Sequence, residues 1–307
     1  MSCTIRVPGS TSNLGPGFDV LGLALKIYLT VTVAEADKSE IECVGEGAQD
    51  LPRDASNLIM RAIAKSFERA GKAVPPLKLR VDNEIPLTRG LGSSGAATIA
   101  GLLCGNRLAQ AGLDETTLIT LATTMEGHPE NAASSLLGGL TVNCVTNDQI
   151  ISKRVEADPE LLAVLLIPEA GVSTRAARRV LPATISYQHA VFNLQRCASL
   201  TRALIARDYS SLRALMQDKL HQPFRSNLVP HYADFEKCAY ENGALGFCIS
   251  GSGSTVLAFT RYDARALQDA MEKNAIEKSV PAKVRIVGVE NEGAQFLETA
   301  AAIRSTA

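Results

Sequence analysis

The chain has 307 residues, 46% hydrophobic and 21% charged, with a formal net charge of −1, an ordinary composition for a folded protein of one large or two modest domains. So little net charge gives no field that would draw nucleic acid or an anionic membrane, and with no Trp and 5% aromatic residues there is little to stack on bases. No apolar run approaches the roughly 20 residues that a membrane span needs.

The opening "MSCTIRVPGST" has no basic segment followed by an apolar core, so a signal peptide is not expected and a cytoplasmic location is. Alternation in Leu21–Ala36 predicts a strand over Ile27–Ala34. Helical spacing in "ASNLIMRAIAKSFERAG" predicts a helix with Ser56 or Asn57 as its N-cap and Gly71 at its C-terminal end. "LKLRVDNEIP", Leu77 to Pro86, alternates as a strand. Helices follow over Ala96–Ala111 and Leu113–Met125, the second opened near Asp114. "LLGGLTVNCVT" (Leu136–Thr146) predicts a strand after a Gly-Gly turn, then a polar connector over Asn147–Glu160 and a buried strand in "LLAVLLIP". Helices are predicted at Tyr187–Arg207 and Ser210–Lys219. "GFCISGSGSTVLAFT" reads as two strands around a Gly/Ser turn, and "AKVRIVGV" as a last strand. The order implies an α+β fold in two domains, 1–155 and 156–307. Seven scattered cysteines with no C-x-x-C pair read as reduced thiols, not as a disulfide frame or zinc site.

"PLTRGLGSSGAATIAG", Pro86 to Gly101, puts bare backbone just ahead of a helix. A turn without Cβ atoms lets several N–H groups face one cluster of phosphate oxygens, and a following helix N-terminus adds its dipole. Ser93 and Ser94 add hydroxyls for a phosphate or a metal ion. There is no G-K-[ST] ending, and so no loop lysine. A tight turn capping a helix accounts for the same residues.

The loop resembles the P-x-x-x-G-L-G-S-S-A signature of the GHMP kinases. "VPGSTSNLGPGFDVLGLAL", "EGHPENAASSLLGGLTV", "STRAARRVLP", "DKLHQPFRSNLVP" and "GALGFCISGSGSTVLAF" are similar to further segments of that superfamily in the same order, closely so to its homoserine kinases. The resemblance implies an N-terminal domain like the second domain of ribosomal protein S5 and a ferredoxin-like C-terminal domain, with the active site between them. It implies ATP, Mg2+ and phosphorylation of the L-homoserine side-chain hydroxyl in threonine synthesis. Another small-alcohol GHMP kinase and a catalytically silent ligand-binding member are the competing readings.

The resemblance also implies roles. Pro86, Leu87, Thr88, Arg89, Gly90, Leu91, Gly92, Ser93, Ser94, Gly95 and Ala96 would cradle the ATP phosphates, and Asn57 would reach the base or serve only as an N-cap. Ser94 would bind the metal or only cap a helix. Asn13 and Asp19 would hold the substrate ammonium and hydroxyl, although both types favour turns anyway. Asn131 would lie near the reacting hydroxyl, and His128 would bond substrate or brace its loop. Arg178 and Arg225 would clamp the α-carboxylate, since an arginine fork matches a carboxylate; the alternative for each is a solvated surface residue. Gly251, Ser252 and Gly253 would close on the substrate or form only a hairpin turn. Asp19, Asn131 and Arg178 are the candidate catalytic set, with Asp19 accepting the hydroxyl proton unless it passes to the γ-phosphate.

One departure concerns the metal. Where many homoserine kinases carry E-x-E-G-H, this chain has "TTMEGH", so Thr124 stands at the upstream acid and Glu126 becomes the expected carboxylate ligand. The oligomeric state is left open, a homodimer among the options.

Overall fold

The computed structural model describes residues 1–147 and 149–298. Asp148 of the expected connector and residues 299–307 of the expected second domain lie outside them.

The first sheet is built on β1 (Ser2–Ser12) and β2 (Leu21–Glu35), paired antiparallel from Ser2 opposite Ala34 to Ser12 opposite Gly22. β1 was not among the predicted strands because Pro8 and Gly9 interrupt its pattern; a register shift at that step absorbs them. β4 (Leu77–Asn83) pairs antiparallel with β2, and β3 (Glu40–Gly45) runs parallel to β4. β4 buries every second residue, as its alternation predicts. β5 (Leu140–Val145) pairs with the start of β2 and with β6 (Ile150–Val155). The expected polar connector is therefore partly a strand; exposed residues on both of its faces, Ile151, Lys153 and Arg154, hid the pairing.

Four helices cover this sheet: α1 (Leu58–Arg69), α2 (Ser93–Ala109), α3 (Glu115–Glu126) and α4 (Glu130–Leu137). Asn57, not Ser56, caps α1, accepting from the Ile59 N–H at 2.9 Å, while Ser56 bonds Asp54. Asp114 caps α3 through the Thr117 N–H. α2 begins at Ser93, earlier than its periodicity predicts. Its small residues have a packing cause: a Cβ on Gly101 would lie 2.4 Å from the Ile59 carbonyl oxygen, and one on Gly105 2.7 Å from that of Ile63. α1 and α2 thus touch backbone to backbone.

The second sheet comprises β7 (Leu162–Pro168), β8 (Gly246–Ile249), β9 (Val256–Thr260) and β10 (Ala282–Gly288), in the all-antiparallel order β10-β7-β9-β8. This is the split βαβ arrangement of a ferredoxin-like domain. Between β7 and β8 run α5 (Thr174–Arg179), α6 (Tyr187–Ala206), α7 (Leu212–Leu215), α8 (Gln222–Arg225) with a following 3₁₀ turn, and α9 (Tyr232–Glu241); α10 (Ala264–Glu277) joins β9 to β10. The helix expected over Ser210–Lys219 is only the single turn of α7, because Asp218 turns the chain by accepting the N–H groups of Leu220, His221 and Gln222. β11 (Gln295–Leu297) crosses back to pair with β1.

β7 is apolar throughout because both faces are covered. Val164 and Leu166 pack with Phe235, Phe247 and Met271, while Ala163, Leu165 and Ile167 belong to the core shared with the first sheet. The two halves are joined by continuous packing.

Gly101→Ala tests the helix contact. Alanine is the better helix former by about 1 kcal/mol, yet a clash with backbone in a packed core costs about 1–3 kcal/mol. Net destabilisation is expected in thermal unfolding; an unchanged or raised Tm would contradict the contact.

Candidate active site

A cavity of about 350 Å³ opens between the halves. One wall is apolar, with Leu29, Leu51, Leu58, Ile59 and Val81 beside Asn57 and Asn83; the floor is the loop Pro86–Ser94. Gly90 and Gly92 both have φ of 72°, a left-handed conformation that favours glycine. Side chains would also not fit: a Cβ on Gly90 would lie 2.0 Å from the Ser250 carbonyl oxygen, and one on Gly92 2.2 Å from Ser10 Oγ. No side chain caps α2, so the N–H groups of its first turn and the positive end of its dipole face the cavity end. Gly95 and Ala96 are buried beneath, Gly95 against Asn131. Asn57 lines the cavity, but its side chain is engaged in capping α1 and in a bond to the Pro52 carbonyl at 2.8 Å.

The other end carries opposite charges side by side. Arg178 of α5 forks onto Asp19, Nη1 donating to Oδ2 at 3.0 Å and Nη2 to Oδ1 at 2.7 Å. Asn13 and Asp19 both have positive φ, 70° and 57°. Asn13 Oδ1 accepts the Asp19 N–H at 3.0 Å, and its Nδ2 donates to the Gly251 carbonyl at 2.9 Å. The Asn13 amide therefore shapes the turn and ties it to the second half. Arg225 is buried, its Nε donating to the Ala177 carbonyl and its Nη1 to that of Gly251, both at 3.1 Å. Burial first, and then the nearby Arg178 cation, lower its pKa to about 10. Phe18 lies between the two guanidinium groups, 5.4 Å from Arg178 and 5.0 Å from Arg225, and stacks on His221. The buried His221 meets the Gly15 carbonyl through Nε2 at 2.7 Å, and burial holds its pKa below the ordinary value.

Two regions of the sequence match models of the GHMP kinase N terminal domain, residues 57–139, and of the GHMP kinase C terminal domain, residues 200–277. The homoserine kinase of Moorella thermoacetica is 41% identical over 290 residues, 94% of this chain and 98% of that protein. That of Desulfitobacterium hafniense is 38% identical over 95% of this chain and 99% of its own. The chain belongs to the homoserine kinase family of the GHMP kinases. The crystal structure of the homoserine kinase from Cytophaga hutchinsonii superposes with a TM-score of 0.86 at 28% identity, covering 96% of this chain and 97% of that one.

In this family member, Ser94 Oγ donates to Glu126 Oε2 at 2.7 Å, and Thr98 Oγ1 to Glu126 Oε1 at 2.6 Å. Thr124 instead donates to the Thr120 carbonyl of its own helix. Ser94 and Glu126 thus present adjacent oxygen donors at the start of α2, of the kind that magnesium prefers. Among the described residues no group of three or more His, Cys, Asp and Glu side chains is placed to hold a metal, so an ion here would need phosphate oxygens or water to complete its shell.

Asn131, on the first turn of α4, donates to Ser12 Oγ at 3.1 Å and accepts from Ser10 Oγ at 3.0 Å. His128 Nδ1 lies 3.2 Å from Oε1 of Glu130, a buried carboxylate on the cavity wall. Burial opposes the charged form of each, but the partner more than offsets it, so the His128 pKa is raised and that of Glu130 lowered. Glu130, Phe18 and His221 were not among the residues predicted for the site. An acid in a helix's first turn is commonplace, and the signal for Glu130 was only its spacing from His128.

The pair contributes stability above the unfolded glutamate pKa of about 4.3 and below the unfolded histidine pKa of about 6.5. It is lost on the acid side as pH falls through the Glu130 value, and on the alkaline side as pH rises through that of His128. Glu130→Gln is expected to cost about 3 kcal/mol in that window and to drop the His128 pKa below the ordinary histidine value, both read by NMR titration with thermal unfolding. An unshifted His128 would contradict the pairing.

Proposed function

We propose that this chain transfers the γ-phosphoryl group of ATP to the side-chain hydroxyl of L-homoserine, giving ADP and O-phospho-L-homoserine for threonine synthesis. The observation that carries the reading is the Asp19–Arg178 pair on the wall of a cavity whose floor is an uncapped helix N-terminus. A free amino acid brings an ammonium and a carboxylate. A site already holding the opposite charges side by side is complementary to both.

In this reading Pro86–Ala96 hold the phosphates through main-chain N–H groups, and the apolar wall beside Asn57 takes the adenine. The nucleotide end belongs to a domain of residues 1–155, while Arg178, Arg225 and Gly251 come from 156–307. The substrate carboxylate takes up Arg178, backed by the buried Arg225, and the ammonium takes up Asp19 near Asn13. Asn131, held from both sides by Ser10 and Ser12, orients the acceptor hydroxyl, and His128 braces the loop through Glu130.

Phosphoryl transfer needs in-line positioning and charge neutralisation more than covalent help. Both Asp19 oxygens already accept from Arg178; we infer that the hydroxyl proton passes to the γ-phosphate and that Asp19 positions. Ser94 and Glu126 are the residues that would hold Mg2+, which would supply charge screening at the phosphates. No described helix is long and apolar enough to cross a membrane, and a reaction of ATP with a free amino acid suits the cytoplasm.

Incubation with ATP, magnesium and, separately, L-homoserine, mevalonate or L-threonine tests this reading. Strong ADP release is expected only with homoserine; comparable release with mevalonate would overturn it. Glu126→Gln is expected to raise the half-saturating magnesium concentration roughly tenfold, and unchanged magnesium dependence would remove Glu126 from the metal site.

A further inference from the structure

Arg89 lies in the phosphate loop, yet its guanidinium is spent on main-chain carbonyls at the end of β7. Nε donates to the Pro168 carbonyl at 2.8 Å and Nη2 to that of Glu169, while Nη1 holds the Leu87 carbonyl at 2.8 Å and Thr88 Oγ1 at 2.9 Å. The neighbouring backbone is closed in the same way. The Val172 N–H donates to the Thr88 carbonyl at 3.0 Å, and the Thr255 N–H to that of Arg89 at 3.3 Å. Ser254 Oγ donates to the Ala170 carbonyl at 2.5 Å. Gly171 leaves no room for a side chain: a Cβ there would lie 2.3 Å from Arg89 Nη1 and 2.4 Å from Thr88 Oγ1.

Thr88 has φ of 56°, an unfavourable left-handed conformation for a β-branched residue. Such strain persists only where surrounding contacts enforce it, and here the contacts are those to segment 168–172. That segment leads directly into Ser173, whose side chain caps α5 by accepting the Ala176 N–H. α5 carries Arg178. A continuous run of hydrogen bonds and main chain therefore connects the phosphate loop to the substrate-end arginine.

We propose that Arg89 is a positioning residue that fixes segment 168–173 and α5 against the phosphate loop, setting where Arg178 stands for the acceptor. This rests on the kinase reading above. The role depends on geometry: donors in a rigid fork reach two successive carbonyls and the loop at once, which a lysine ammonium on a flexible stem does not do.

The test is steady-state kinetics with ATP and L-homoserine on the unaltered enzyme and on Arg89→Ala, Arg89→Lys and Gly171→Ala, with thermal unfolding and calorimetric ADP binding on each. The homoserine KM is expected to rise roughly tenfold in all three variants, since small misplacements of a positioning group are costly. Gly171→Ala disturbs the latch from its other side with Arg89 intact, so it guards against an effect of lost charge. A normal homoserine KM in Arg89→Lys would overturn the proposal, leaving Arg89 as a phosphate charge. So would variants that lower Tm and kcat with the homoserine KM unchanged, which is the pattern of a purely structural role. Absence of homoserine-dependent turnover in the unaltered enzyme would overturn the kinase reading, and with it this one.

Discussion

Asp19 is paired with one of two neighbouring arginines that would otherwise repel one another. Arg178 and Arg225 approach the same Phe18 ring, one half-exposed and one buried, and the proximity of Arg178 helps to depress the Arg225 pKa. Asp19 offsets that repulsion by accepting both donors of Arg178. It is held for the purpose by the Asn13 amide at a turn where both residues are left-handed. Asn13 also reaches the Gly251 carbonyl, which Arg225 shares. One carboxylate thus organises contacts from the first turn of the chain, α5, α8 and the last glycine turn. Without it the positive charge of the two arginines would be offset only by Glu130 and Asp218.

The opposite end depends on close approach rather than on charge. α2 reaches the cavity uncapped because Gly101 and Gly105 let it lie against α1, and because Gly90 and Gly92 let the loop pass the Ser250 carbonyl and Ser10. Ser250 Oγ then bonds both the Gly90 carbonyl and Thr11 Oγ1, joining the two glycine turns. Fixed dipoles at one end and a fixed charge pair at the other are what a reaction governed by positioning requires.

The sequence displayed the parts of this site that rest on backbone demands. Glycines, prolines and turn-forming Asn and Asp cluster where the chain must adopt unusual φ, so the phosphate loop, "NLGPGFD" and "SGSGS" stood out. β4 and β7 were equally plain, one alternating and the other apolar on both faces. Less visible were features that depend on what comes together in space. β1 hides behind Pro8 and Gly9, and β6 behind exposed residues on both of its faces. Arg178 was legible as a fork for a carboxylate, but that the carboxylate in place would be Asp19 was not. Nor was the buried partner of His128, since a glutamate opening a helix needs no partner. Thr124 removed an expected acid and the sequence left Glu126 to take its place; what it could not show is that Ser94 and Thr98 both bond that carboxylate.

The central claim is that the Asp19–Arg178 pair receives both charges of a zwitterion. The most direct measurement compares L-homoserine with 4-hydroxybutanoate, which lacks the ammonium, and with 3-aminopropan-1-ol, which lacks the carboxylate, as phosphoryl acceptors. Each analogue would forgo the contact to one member of the pair, and kcat/KM is expected to fall by at least about a hundredfold for both. Turnover of either within about tenfold of L-homoserine would show that the acceptor is not recognised through both members of the pair.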